Sequence, residues 1–189
     1  MDLKTVLKLL KQDKVGVLPT DTLYGLVGRA LDKKSVARIY KVRRRNSKKP
    51  LIILISSLAN LKLFGIKLGK PQQKFFKKIW PGPVSVILPC HSKKFSYLHR
   101  NTNSLAFRLP KPKWLRQLLI KTGPLVAPSA NLEGRPPAKT IKEAKKYFKN
   151  RVDFYLDAGK LAGAPSTLIS LKGGKITIIR KCGRKLPIG

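Results

Sequence analysis

The sequence predicts an α/β domain built on a twisted mixed sheet with flanking helices, and three observations carry that prediction. Apolar strand-like runs alternate with amphipathic helical segments along most of the 189 residues, as expected for strands joined through helices. The last two runs, residues 166–171 and 175–180, are separated by Gly173-Gly174, which reads as an antiparallel hairpin and makes the sheet mixed. No linker or internal repeat divides the chain, so residues 1–189 read as one domain with a short basic tail from about residue 181.

Taken in order, Leu3, Val6, Leu7 and Leu10 fall at helical spacing, and Val15-Gly16-Val17-Leu18 is a buried strand ended by Pro19. A loop with hydroxyl groups follows. Asp32 caps a second helix whose inward face is Val36, Ile39 and Tyr40 and whose end is Arg43-Arg44-Arg45. Residues 51–55 are uninterrupted aliphatics, best explained as a central strand covered on both faces, and Ser57 can cap a short helix after it. Pro71 opens a helix bearing Phe75, Phe76 and Ile79; Trp80-Pro81-Gly82-Pro83 forces a turn; residues 84–88 and 105–109 are strands. Trp114, Leu115, Leu118 and Leu119 restore helical spacing, Leu125-Val126-Ala127 is a short strand, and Thr140-Ile141-Lys142-Glu143 is a capping box for a helix through Phe148.

Composition narrows the function classes. There are 42 Lys and Arg against 8 Asp and Glu, a formal charge of +34, with an ordinary 42% hydrophobic share; the chain folds rather than forming a basic disordered tail. Such a charge attracts polyanions, so RNA or DNA contact is one reading. The other is a lysine-biased composition, since 30 of the 42 basic residues are lysines spread from Lys4 to Lys185. With so few carboxylates, a two-metal or paired-acid site is hard to build. His91 and His99 are the only histidines and no Cys-x-x-Cys accompanies them, so no protein metal site is expected; Cys90 and Cys182 read as free thiols. No apolar run approaches the roughly 18–20 residues that span a bilayer and the start lacks a secretory apolar core, so no membrane association and a cytoplasmic location are expected.

The P-loop, dinucleotide-binding, zinc-protease and serine-hydrolase signatures are all missing. Three segments instead place small hydroxyl or cationic groups just beyond apolar strands, where open α/β sheets bind ligands. Pro19-Thr20-Asp21-Thr22-Leu23-Tyr24-Gly25 offers hydroxyls, though alone it is equally a hydrogen-bonded turn. Arg43-Arg44-Arg45 with Lys48 and Lys49 suits triphosphate or carbonate, though a helix C-terminus also favours solvated cations. Ala127-Pro128-Ser129-Ala130-Asn131 presents a hydroxyl and an amide on a strand end stiffened by proline, or forms a simple Asx-type turn.

Together, and in this order with Pro165-Ser166-Thr167, these segments resemble the YrdC-like family of threonylcarbamoyl-AMP synthases in its short, single-domain form. The family's Pro-Thr-Asp/Glu-Thr-x-Tyr-Gly matches residues 19–25, its Ser-x-Asn residues 129–131, and its Pro-Ser-Thr residues 165–167. The resemblance implies a YrdC-like fold with a concave basic face. It also implies a nucleotidyltransferase that condenses L-threonine, bicarbonate and ATP into threonylcarbamoyl-AMP and pyrophosphate, for threonylcarbamoyladenosine in tRNA. By position, Thr22, Arg108, Ala127 and Ser166 resemble the threonine-holding residues, and Arg45, Lys49, Ser104, Ser129 and Arg180 those that contact ATP. Arg43, Arg45, Ser129 and Asn131 are the expected catalytic set, with Mg2+ bound mainly through ATP. Expected partners are the three substrates and tRNA or a tRNA-modifying transferase complex.

Two departures stand out. Where the family has Lys-x-Arg this chain has Arg43-Arg44-Arg45, which keeps charge but not a compact ammonium. Where the family often has serine it has Glu133, a carboxylate that repels triphosphate unless Arg135 or magnesium compensates. The alternative reading is a non-catalytic module on the same fold that binds tRNA or double-stranded RNA, motivated by the +34 charge; a third is a carbamoyl-transfer role like that of the related domain of hydrogenase-maturation proteins. For Arg108 taken alone, an exposed sheet face is the competing reading.

Overall fold

The computed structural model describes residues 1–44, 46, 50–172 and 175–182. Among these, nine strands form one mixed sheet. They are β1 (Gly16–Pro19), β2 (Tyr24–Arg29), β3 (Ile52–Leu54), β4 (Val84–Pro89), β5 (Ser104–Arg108), β6 (Leu125–Val126), β7 (Phe154–Tyr155), β8 (Thr167–Lys172) and β9 (Lys175–Arg180), in the spatial order β7-β1-β2-β6-β3-β5-β4-β8-β9. The aliphatic run around β3 lies at the centre of this order, as its unbroken apolar character requires. The pairs β1/β7, β3/β5 and β4/β8 are parallel and the rest antiparallel. The β8/β9 pairing agrees with the hairpin expectation, whose turn at Gly173-Gly174 lies outside the described residues.

Three of the helices begin at side-chain caps, and those at Asp32 and Thr140 agree with the sequence expectation. In α1 (Leu3–Lys11) the Asp2 carboxylate accepts the Thr5 N–H, and in α2 (Lys33–Arg43) the Asp32 carboxylate accepts that of Ser35. Pro71 sits in the first turn of α3 (Lys70–Ile79). The short helix α4 (Ser96–His99) precedes β5, and α5 (Lys113–Thr122) precedes β6. At α6 (Ile141–Phe148) the Thr140 hydroxyl accepts the Glu143 N–H, while the Glu143 carboxylate reaches back to the Lys139 N–H, one residue earlier than a standard capping box. After β3 the helix is 3₁₀ (Leu58–Phe64), and Asn60 Oδ1 reaches back to the N–H groups of Ser56 and Ser57.

Alternation along the strands divides the core between the two sheet faces. Leu18, Val27, Leu54 and Leu125 pack with Val6 and Leu10 of α1 and Leu115, Leu118 and Leu119 of α5. Val17, Leu26, Ile53 and Val126 face the other way, toward Val36 and Ile39 of α2, Phe76 and Ile79 of α3, and Ile141 and Phe148 of α6. On β5, Leu105 and Phe107 enter this larger core, where Phe107 meets Phe64 edge-on at 5.0 Å. Arg108 therefore emerges on the opposite face.

Two strands are absent from the sequence expectation. The hydroxyl loop ends at Leu23, and Tyr24 and Gly25 already belong to β2, paired with Pro19 and Leu18. β2 is buried along nearly its whole length, so it shows no alternation, and its two glycines read locally as loop signals. β7 is two residues long and gains its place from the β1 edge. There Gly16 is required by space: a Cβ on it would lie 2.4 Å from the Phe154 ring, which is 2% exposed. Gly16→Ala should destabilise the fold by about 1–3 kcal/mol through overpacking, measurable as a lowered midpoint in denaturant unfolding with an unchanged slope.

Candidate functional site

The loop between β1 and β2 is organised by one hydroxyl. Thr20 Oγ1 donates to Leu23 O at 2.7 Å and accepts the N–H groups of Thr22 and Leu23 at 3.3 Å, the local bonding that lets threonine shape a tight turn. The next wall is the end of β6. Leu26 N–H donates to Pro128 O and Ala130 N–H to Tyr24 O, so residues 128–130 run on beside β2 past the strand proper. The third wall is the entry to β8, where buried Ser166 shares a 2.9 Å hydroxyl bond with buried Ser85.

These walls enclose an open cavity of about 220 Å³. Seven predicted residues line it: Thr22, Arg43, Arg108, Ala127, Ser129, Ser166 and Arg180. The volume lies below the roughly 300–1,000 Å³ of sites that enclose drug-sized ligands. It suits an amino acid, with anything larger continuing onto the open face.

Arg108 dominates the electrostatics. It is 3% exposed, so the reading of an exposed sheet face is overturned. Its side chain and that of Asp21, 4% and 5% exposed, form an ion pair with Arg108 Nη2 3.2 Å from Asp21 Oδ1. Arg108 Nη2 also donates to Thr20 Oγ1 at 3.3 Å, and Asp21 Oδ2 accepts the Lys111 N–H. The pair is close but not hydrogen-bonded: both Asp21 Oδ1 and Arg108 Nε are buried without a hydrogen-bond partner. Burial pushes the Arg108 pKa down, the Asp21 charge pushes it back up, and Arg180 pushes it down again; arginine stays ionised throughout. Arg180, on exposed β9, donates through Nε and Nη2 to Ser166 O at 3.2 and 3.0 Å and so stands at the rim.

Arg43 and Asn131 are joined through the Ser129 loop. Arg43, 6% exposed at the end of α2, donates to Ser129 O, Ser129 Oγ and Asn131 Oδ1 at 2.9–3.1 Å. Asn131 does not line the cavity, and its amide donates to Leu132 O and Arg135 O while its oxygen also accepts the Ser129 hydroxyl. Its hydrogen-bonding capacity is taken up inside the protein, where it braces the Ser129 loop. Glu133 is likewise absorbed: its carboxylate accepts the Asn46 N–H and its own N–H donates to Arg43 O.

Ser104 is not brought into the cavity. It starts β5 opposite Pro89, on the same face as Arg108 but four residues away, about 13 Å at strand spacing. Ala127 commits its N–H to Ile52 O and offers a ligand its carbonyl and methyl. Arg45 and Lys49 lie outside the described residues. Sequence reasoning passed over Asp21, although it stands inside the first segment and is one of only eight carboxylates. Among the described residues no three of His, Cys, Asp or Glu converge as metal ligands, and no helix is long and apolar enough to cross a membrane.

Comparison with known proteins places the chain in a family. The Sua5/YciO/YrdC family model, described as "Telomere recombination", matches residues 8–182. A threonylcarbamoyl-AMP synthase of Pyrococcus abyssi is 28% identical over 179 residues, covering 94% of this chain and 53% of the relative. A putative threonylcarbamoyl-AMP synthase of Methanocaldococcus jannaschii is 31% identical over 183 residues, covering 94% and 86%. The chain thus spans about half the length of the first and most of the second. The crystal structure of P. abyssi Sua5 complexed with L-threonine superposes with a TM-score of 0.87 at 28% identity, over 95% of this chain and 54% of that one.

One further contact shapes the cavity. Gly163 lies against the Thr22 backbone so closely that a Cβ would fall 1.8 Å from Thr22 O. Gly163→Ala should push the segment before β8 off the Thr22 loop while costing little global stability, since Gly163 itself is exposed. Faster limited proteolysis of that segment with a nearly unchanged thermal unfolding midpoint is the expected outcome.

Proposed function

Because this chain belongs to the Sua5/YciO/YrdC family, we propose that it is a threonylcarbamoyl-AMP synthase. It condenses L-threonine, bicarbonate and ATP into threonylcarbamoyl-AMP and pyrophosphate in the cytoplasm, feeding threonylcarbamoyladenosine formation in tRNA through a transferase partner. The observation that carries this reading is a buried guanidinium, Arg108, at an amino-acid-sized cavity ringed by the hydroxyls of Thr22, Ser129 and Ser166, with Arg180 at the rim.

The chemistry follows from charge. The threonine amine and bicarbonate combine with loss of water to give N-carboxythreonine. The new carboxylate attacks the α-phosphorus of ATP, and the bond to the β-phosphate oxygen breaks, releasing pyrophosphate. No covalent protein intermediate is needed. Arg108 holds the α-carboxylate of threonine, and Thr22 and Ser166 orient the side chain beside it. Arg180 and the Ser129 hydroxyl, the latter fixed by Arg43 and Asn131, face the phosphates where negative charge develops. Ser104 reaches the far end of the nucleotide along β5. Magnesium bound through the phosphates would neutralise their charge, and the protein need offer it no ligand, since Asp21 beside Arg108 is already paired.

The test is pyrophosphate release from ATP with bicarbonate and magnesium, comparing L-threonine, L-serine, L-valine and no amino acid. Release should depend on threonine, and Arg108→Ala should lower it at least about 30-fold, the loss typical of truncating one partner of a buried charge pair. Release that is indifferent to threonine would refute the synthase reading.

A further inference from the structure

We propose that Asp21 is a specificity-determining residue that sets the net charge of the inner site. By cancelling Arg108, it makes the deep end of the cavity a neutral dipole that accepts a zwitterionic α-amino acid and rejects a plain carboxylate anion. This rests on the synthase reading and deepens it.

Three observations support it. The Asp21 and Arg108 side chains are both more than nine-tenths buried and 3.2 Å apart, so each charge is felt at close range with little solvent between. Each also keeps one buried hydrogen-bonding atom unmatched, an acceptor at Asp21 Oδ1 and a donor at Arg108 Nε. The two unmatched atoms belong to the two members of one ion pair, of which Arg108 lines the cavity and Asp21 stands behind it. Finally, the pair lacks hydrogen-bond geometry, so Arg108 is neutralised without having its fork of donors occupied by Asp21. The remaining hydrogen bonds around Asp21 hold it in place: the Lys111 N–H takes Oδ2, and Thr20 Oγ1 takes Arg108 Nη2. Of the other nearby charges, Arg180 is turned to Ser166 O at the rim and Arg43 to the Ser129 loop. Neither substitutes for Asp21, because both carry the opposite sign. Asp21 acts through charge on the bound ammonium and through the state of Arg108, without needing to touch the reacting atoms.

The experiment is equilibrium titration of the full chain with L-threonine and with 2,3-dihydroxybutanoate, the hydroxy acid in which the ammonium is replaced by hydroxyl. The wild-type protein should prefer threonine by at least about tenfold, the order expected of one partly desolvated charge contact. In Asp21→Asn the preference should shrink to within about threefold, chiefly because threonine weakens while the hydroxy acid does not. Asp21→Glu, which restores the charge, should retain the wild-type ratio. A general structural defect would weaken both ligands together and leave the ratio unmoved, so a tenfold preference persisting in folded Asp21→Asn would overturn the inference. Should that variant not fold, the wild-type ratio decides: equal binding of the two ligands sinks the idea, and a tenfold preference supports it. Failure of the wild-type protein to bind threonine at all would instead refute the synthase reading, and the inference with it.

Discussion

A guanidinium almost wholly removed from water at the end of a strand needs a counter-charge, and much of the site's architecture supplies one to Arg108. β5 delivers Arg108 to the face opposite its phenylalanine core. The loop between β1 and β2 then turns tightly enough to bring Asp21 within 3.2 Å of it. Thr20 makes both possible, since one hydroxyl closes the turn through Leu23 and also receives Arg108. Removing one partner of such a pair typically costs about 3–5 kcal/mol, which ties the geometry of the cavity to the stability of the strands that form it.

Around that pair the chain uses hydrogen bonds across long sequence distances in place of a deep apolar pocket. Arg43 binds Ser129 and Asn131 from the end of α2, Ser85 binds Ser166 between β4 and β8, and Arg180 holds the Ser166 carbonyl from β9. Tyr24, wholly buried, donates to Gly159 O at 2.7 Å and accepts the Ala158 N–H, anchoring the segment that then crosses Thr22 at Gly163. Every wall of the cavity is thereby fastened to a different strand, so the site is complete only when the sheet is.

Much of this was legible in the sequence because it is local. Caps at Asp32 and Thr140 depend on a side chain and an amide three residues away, and both form. The aliphatic run around β3 could be assigned to the sheet centre because only a strand covered on both faces tolerates it. What was not legible depends on distant partners. β2 looked like a loop because its glycines carry local turn preferences that tertiary burial overrides. Asn131 looked chemically available because its amide partners, Leu132, Arg135 and Arg43, are assigned only by folding. Arg108 alone could not be distinguished from an exposed edge charge, since the residue that buries it, Asp21, lies 87 positions earlier in the sequence. The motif resemblance filled that gap, and the shared fold and family bear it out.

The two ends of the cavity differ in their exposure to solvent, and that difference has a consequence for how they respond to ionic strength. Mobile ions screen exposed charges over about 10 Å at 0.1 M but barely enter between buried ones. Arg108 and Asp21 are buried together, whereas Arg180 stands on an exposed edge strand. Added electrolyte therefore weakens the field of Arg180 at the rim while leaving that of the Arg108–Asp21 pair almost untouched.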